Sequence, residues 1–146
     1  NMVNATTSSY QSIFGWRQYS STDNCHWRLK CHGISSTDFY VGLHRSNSND
    51  YCNDFLKQFC NDYFCKSKTS FAFSPYHGQL YQNDAWGDKY PSTEAPLICK
   101  NDGNDIIDIY LENGELSFGV NGVRPEAKIA YKLPQVNDLK FALSFK

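Results

Sequence analysis

From Ile106 to Gly122 apolar and polar side chains alternate on both sides of Asn113-Gly114. Ile107, Ile109 and Leu111 alternate with Asp108, Tyr110 and Glu112; Leu116, Phe118 and Val120 alternate with Glu115, Ser117 and Gly119. Period-two patterning around Asn-Gly predicts a hairpin, because a type I′ turn needs positive φ at both central residues. One face of that hairpin then lies on a core and the other meets water. Glu112 and Glu115 flank the turn as a mildly repulsive pair, which the turn geometry outweighs. Asn121-Gly122 predicts the next turn. Similar patterns predict strands over 27–31, 39–43, 69–73, 79–82, 96–100, 127–131 and 139–145, the last with Leu139, Phe141, Leu143 and Phe145 on one face. Many short strands separated by Gly, Asn, Asp and Pro clusters predict an all-β fold, a two-sheet antiparallel, jelly-roll-like sandwich.

One segment departs from this period. Between Tyr51 and Cys65 the apolar residues fall in pairs, Tyr51/Cys52, Phe55/Leu56, Phe59/Cys60 and Tyr63/Phe64. That spacing predicts an inserted helix near residues 50–65, about four turns long. Asn49 or Asp50 would cap its start, and Lys66 and Lys68 suit the negative end of its dipole. Such a helix is read as a lid on a sheet face, with the shaping of a ligand surface as the alternative. Residues 1–12 are small and polar and are expected to form a flexible N-terminal segment, with a single domain over 13–146.

Composition narrows the function classes. The formal net charge of −1 and the lack of a long basic run argue against nucleic-acid binding. No apolar run approaches the roughly 18 residues that span a bilayer, and no signal-peptide core is present, so no membrane contact and a cytoplasmic location are expected. The six cysteines (Cys25, Cys31, Cys52, Cys60, Cys65 and Cys99) are read as reduced thiols. Cys25-His26 and Cys31-His32 repeat, but Trp27, Leu29, Cys31 and Cys25 would share an inward strand face, so these are read as core thiols and no metal site is expected. Asn101-Asp102-Gly103-Asn104-Asp105 lacks the distant bidentate Glu of a calcium loop and reads as a turn. No nucleophile elbow, phosphate-cradling loop or His-Glu-x-x-His occurs, so no enzyme and no cofactor are expected.

The strand motifs carry a resemblance. Trp27-Arg28-Leu29, Phe39-Tyr40-Val41-Gly42-Leu43, Gly78-Gln79-Leu80-Tyr81-Gln82-Asn83, Gly103-Asn104-Asp105-Ile106-Ile107, the Leu116-Ser117-Phe118 hairpin with its Asn-Gly, and Leu139 to Phe145 resemble, in order, the core strands of SPRY domains. The likeness covers about residues 16–146. Phe73 stands where the family usually has Trp, residues 123–131 replace its usual Gly-Val-Ala-Phe, and the chain stops at Lys146, where many members have one more strand.

The resemblance implies a non-catalytic protein-protein interaction module, an adaptor or scaffold part, in a possible larger multidomain context. Its protein or peptide partner would sit on loops at one end of the sandwich. Carried onto this chain, the loop before the Trp27 strand gives Arg17, Gln18 and Tyr19. The loop after the Phe39 strand gives Arg45, Asn47, Asn49 and Tyr51. Arg and amide side chains suit hydrogen bonding to an extended peptide, and Tyr gives contact area at low entropic cost. The alternative is a lectin-like carbohydrate-binding domain, with Tyr81, Asn83, Asp84 and Trp86 as its platform.

Overall fold

The computed structural model describes residues 11–32, 38–46, 59–60 and 64–145. Eleven strands are formed by them: β1 Gln11–Phe14, β2 Cys25–Lys30, β3 Phe39–Arg45, β4 Phe59–Cys60, β5 Ser70–Ser74, β6 Gln79–Gln82, β7 Ala85–Lys89, β8 Ile106–Glu112, β9 Glu115–Val120, β10 Tyr131–Lys132 and β11 Leu139–Phe145. They make two antiparallel sheets. One has seven strands in the order β4-β1-β11-β3-β5-β6-β7, and the other four in the order β10-β9-β8-β2. No helix among the described residues is long and apolar enough to cross a membrane.

The apolar residues of the central hairpin face the core as their period demands, whereas on the face expected to meet water Asp108, Ser117 and Gly119 are buried. Ile107, Ile109, Leu111, Leu116 and Phe118 are fully buried, and they meet Val41, Leu43, Phe73 and Leu139 from the facing sheet. Each such side chain contributes about 1.5–3 kcal/mol by leaving water. Phe73 stacks on Phe118 with ring centroids 4.9 Å apart. Asn113 and Gly114 have φ of 51° and 81°, and Asn121 and Gly122 have 53° and 81°, so both Asn-Gly pairs form the expected turns.

β3 and β5 are buried along almost their whole length, because the seven-stranded sheet is covered on both faces. On its outer side Phe14, Tyr40, Ala72 and Ala142 pack with Phe64 and Cys65. Of the predicted inserted helix near 50–65, most lies outside the described residues. Its described part differs from a helix: Phe59–Cys60 is a strand and Phe64–Lys66 a single 3-10 turn. The 3-10 turn is fixed by tertiary bonds, since the Phe64 N–H donates to the buried hydroxyls of Ser12 and Ser144.

Four further elements differ from the expectation. Residues 96–100 alternate in burial, with Leu97 and Cys99 in and Ile98 out, yet they form no ladder; isolated bonds from Leu97 to Tyr90 and Cys99 to Pro75 hold them. Alternation reports which way side chains face, not which backbone pairs. β10 is only two residues long at the end of the predicted 127–131 strand. β7 carries no apolar alternation and exists because Asn83 and Asp84, with φ of 54° and 58°, turn β6 back on itself. β1 begins at Gln11, inside the segment read as a flexible tail, and pairs along β11 from Gln11↔Phe145 to Phe14↔Ala142.

Candidate functional site

Antiparallel pairing brings two loops to one end of the seven-stranded sheet. β3 finishes where β11 starts, with Arg45 opposite Leu139. The chain leaving β1 runs along the same start of β11: Gly15 N–H donates to Phe141, Tyr19 and Leu139 exchange backbone bonds of 2.8 and 3.1 Å, and Ser21 N–H donates to Val136. Residues 15–21 and Arg45-Ser46 therefore lie on either side of residues 136–139. The side-chain amide of Gln18 closes the gap by donating to the Ser46 hydroxyl at 2.7 Å. Ser46 is itself fixed, its N–H and hydroxyl both donating to the Asp138 carbonyl.

The described candidates have distinct roles in this arrangement. Arg17 is exposed and its guanidinium carbon sits 5.0 Å from the Tyr19 ring centroid. Tyr19 is half-buried and meets Trp27 edge-on at 5.0 Å, and Trp27 in turn stacks on Phe141 at 5.9 Å. Tyr19 thus joins the loop to the core. Arg45 donates from Nε to the buried carboxylate of Asp138 at 3.0 Å. Asn47, Asn49 and Tyr51 lie outside the described residues. Reading by motif missed Trp16, which is 76% exposed beside Arg17 and Gln18. A tryptophan next to a strand reads as core; its position just past Gly15, where β1 has ended, is the signal that would have found it.

Two other surfaces carry unusual chemistry. On the outer face of the four-stranded sheet, Asp108 is buried beneath His26 Nε2 at 2.7 Å and Arg28 Nε at 2.8 Å. Burial alone would raise the Asp108 carboxyl, but hydrogen bonds from Arg28 and His26 outweigh it and hold it below the ordinary carboxylate range. His26 stacks on Tyr110 at 4.5 Å, and Arg124 lies 3.7 Å from the same ring centroid. Arg124 also forks onto Glu112, at 2.7 Å for the closer oxygen, and this pairing lowers the Glu112 carboxyl. A hollow of about 390 Å³ opens beside it, lined by Glu115, Glu126, Pro125 and Ile129 among others. Residues 124–129 form one side of it, and Glu112, Glu115 and Ser117 the other.

The second surface is the β6–β7 hairpin. Trp86 is 47% exposed. It meets Tyr81 edge-on at 4.8 Å and His77 at 4.8 Å, while the Tyr81 hydroxyl donates to Asp84 at 3.0 Å.

Cys31, Cys65 and Cys99 are buried, and the Asn101–Asp105 stretch is a structural loop. Cys25, Cys31, Cys65 and Cys99 are free thiols, and Cys52 and the Cys60 side chain lie outside the described residues. Burial pushes the thiols of Cys31 and Cys99 up to about 11 and about 12, so neither is an activated nucleophile. Among the described residues no group of three or more His, Cys, Asp or Glu could hold a metal ion. Asp105 is buried and accepts from the backbone N–H of Lys100 and Asn101 and from the Asn121 amide, a clasp that ties the loop to the second Asn-Gly turn.

No protein-family model matches this chain, and no curated protein matches it. Solved structures do. The SPRY domain of human HERC1 is 17% identical with a TM-score of 0.65, over 95% of this chain and 76% of that one. Another human SPRY domain is 17% identical with a TM-score of 0.66, over 96% of this chain and 81% of that one. These likenesses, over 95% and 96% of the chain, show that the chain has the fold of a SPRY domain.

Proposed function

We propose that this chain is a non-catalytic protein-interaction module that takes a peptide segment or protein surface on the loops at one end of its sandwich. The observation that carries this reading is the Gln18–Ser46 bond, which ties the two loops into one surface with Trp16 standing 76% exposed on it. An exposed tryptophan beside Arg17 and a pre-positioned amide is the composition of an interface hot spot. The backbone bonds to β11 hold the loop in place, so little ordering entropy would oppose binding. The SPRY-type fold is in keeping with this reading, since proteins of that fold are generally interaction modules.

The test is capture of partners by the intact domain beside Trp16→Ala. Because Trp16 is exposed, the substitution should leave the melting temperature within about a degree or two while weakening capture by about tenfold or more. Equal capture by both proteins would move the site elsewhere. Tyr19→Ala is the poorer probe, because it also removes a ring packed on Trp27.

A further inference from the structure

The four edges of the two sheets are not alike. β4 and β10 are two residues each, and β2 presents His26, Arg28 and Lys30 outward, a charged fringe of the kind that discourages pairing. β7 is five residues long, has β6 as its only strand neighbour among the described residues, and is exposed from Ala85 to Asp88. Its lysine is turned away, with Lys89 Nζ donating to the His77 carbonyl at 2.7 Å.

Register shows which backbone groups of β7 face outward. Gln82 pairs with Ala85 across the two-residue Asn83-Asp84 turn, and Tyr81 pairs with Trp86 next to it. The pair flanking a two-residue turn exchanges its hydrogen bonds, so at the following pair the N–H and C=O point away from the partner strand. Trp86 therefore presents a backbone donor and acceptor to the open side. Gly87 faces inward, its carbonyl accepting from the Gln79 side chain at 2.8 Å. The Trp86 ring, braced by Tyr81 and His77, stands beside those groups.

We propose that β7 is a second docking edge, taking an extended peptide that pairs antiparallel with it at Trp86. The peptide residue opposite Trp86 exchanges two backbone hydrogen bonds with it, and its side chain, on the same face, packs on the indole ring. That residue is apolar. Asp84, in the turn that leads into β7, and Asp88, within it, make both ends of this edge acidic, so the peptide carries lysine or arginine two places before and after its apolar residue. The same two acids argue against a second copy of this chain as occupant. Pairing Trp86 with its counterpart would bring the acidic turn residue Asp84 close to Asp88 at both ends, like charge beside like charge. This edge is separate from the Trp16 loops, and neither reading depends on the other.

The test uses the whole domain and a blocked synthetic heptapeptide, Thr-Lys-Thr-Val-Thr-Lys-Thr. It should shift the backbone amide resonances of residues 84–88 and slow hydrogen exchange at the Trp86 amide. The same peptide N-methylated at its valine lacks the central donor and should bind about tenfold more weakly. Replacing its lysines with glutamate should also weaken binding. Trp86→Ala should reduce it further, and the methylated peptide keeps the test valid should that variant fold poorly. The proposal is overturned by binding indifferent to N-methylation, or by shifts confined to residues 16–19 and 45–46. It is equally overturned by no response at millimolar peptide, by a soluble oligosaccharide competing for the 81–86 resonances, or by dimerisation of the domain through 84–88.

Discussion

Asp105 shows how much one buried carboxylate can hold. It is almost fully excluded from solvent and bonds the N–H groups of Lys100 and Asn101 and the Asn121 amide, whose oxygen accepts in turn from Ile106 N–H. Burial would raise its carboxyl; the Asn121 amide and the two backbone N–H groups outweigh that and lower it. Asp108 is lowered as well, by Arg28 and His26 against the same burial effect. Both therefore stabilise the fold fully above the unfolded carboxylate value of about 4, and that contribution disappears as pH falls through their lower native values. Urea unfolding should show a falling midpoint from pH 5 to pH 3. Asp105→Asn should unfold earlier at pH 7, by about 1–3 kcal/mol, and decline less steeply on acidification. The sequence read this residue as part of a turn; it stands just beyond the bend at Asp102-Gly103, where the chain enters β8. Its network stayed hidden because the Asn121 partner arrives only when the second Asn-Gly turn is brought beside it.

At the scale of elements, the β8–β9 hairpin needed nothing but its own sequence: alternation named the buried face, and Asn-Gly named the turn and the register. The Tyr-Val-Gly-Leu motif of β3 is a different case. Gly42 is not there for a turn. A Cβ at that position would lie 1.9 Å from the Phe71 carbonyl oxygen, a backbone atom of β5 that cannot step aside without breaking the ladder. Gly42→Ala should cost about 3 kcal/mol or more, and thermal unfolding of the purified variant would show it; a change below about 0.5 kcal/mol would mean that β5 shifts freely. β7 marks the opposite limit. A strand of Ala, Trp, Gly, Asp and Lys has no signature of its own and follows from the turn before it. In the candidate site, Arg17 and Gln18 were legible as loop residues of the right chemistry. Their link to Ser46 was not, since it depends on the common start of β11.

For the whole molecule, the decisive pairing is between its ends. β1 lies along β11, and β4 lies along β1, so the described N-terminal residues form part of the larger sheet. Ser12 and Ser144, fully buried and hydrogen-bonded to each other, receive the Phe64 N–H between them, and Phe14 joins the outer cluster. Removing residues 1–14 should therefore open the edge of β11 and uncover that cluster. The expected result is a markedly lower melting temperature and concentration-dependent association in sedimentation velocity. A shortened protein that stays monomeric and melts as before would show that the pairing is dispensable.

The chain by itself determined its β character, its central hairpin, both Asn-Gly turns and most of the residues that fill the core. These follow from local backbone preference and from the period of side chains along a strand, which need no information from distant residues. Tertiary structure decided the rest. It placed β1 between β4 and β11 and β7 at the edge of the larger sheet, joined residue 18 to residue 46, buried Asp105 and Asp108 under their partners, and left Trp16 and Trp86 partly or largely in solvent. Each of those outcomes depends on which strand lies beside which. That choice is made by long-range pairing and by two sheets closing on one core, where energies are shared among residues far apart in sequence.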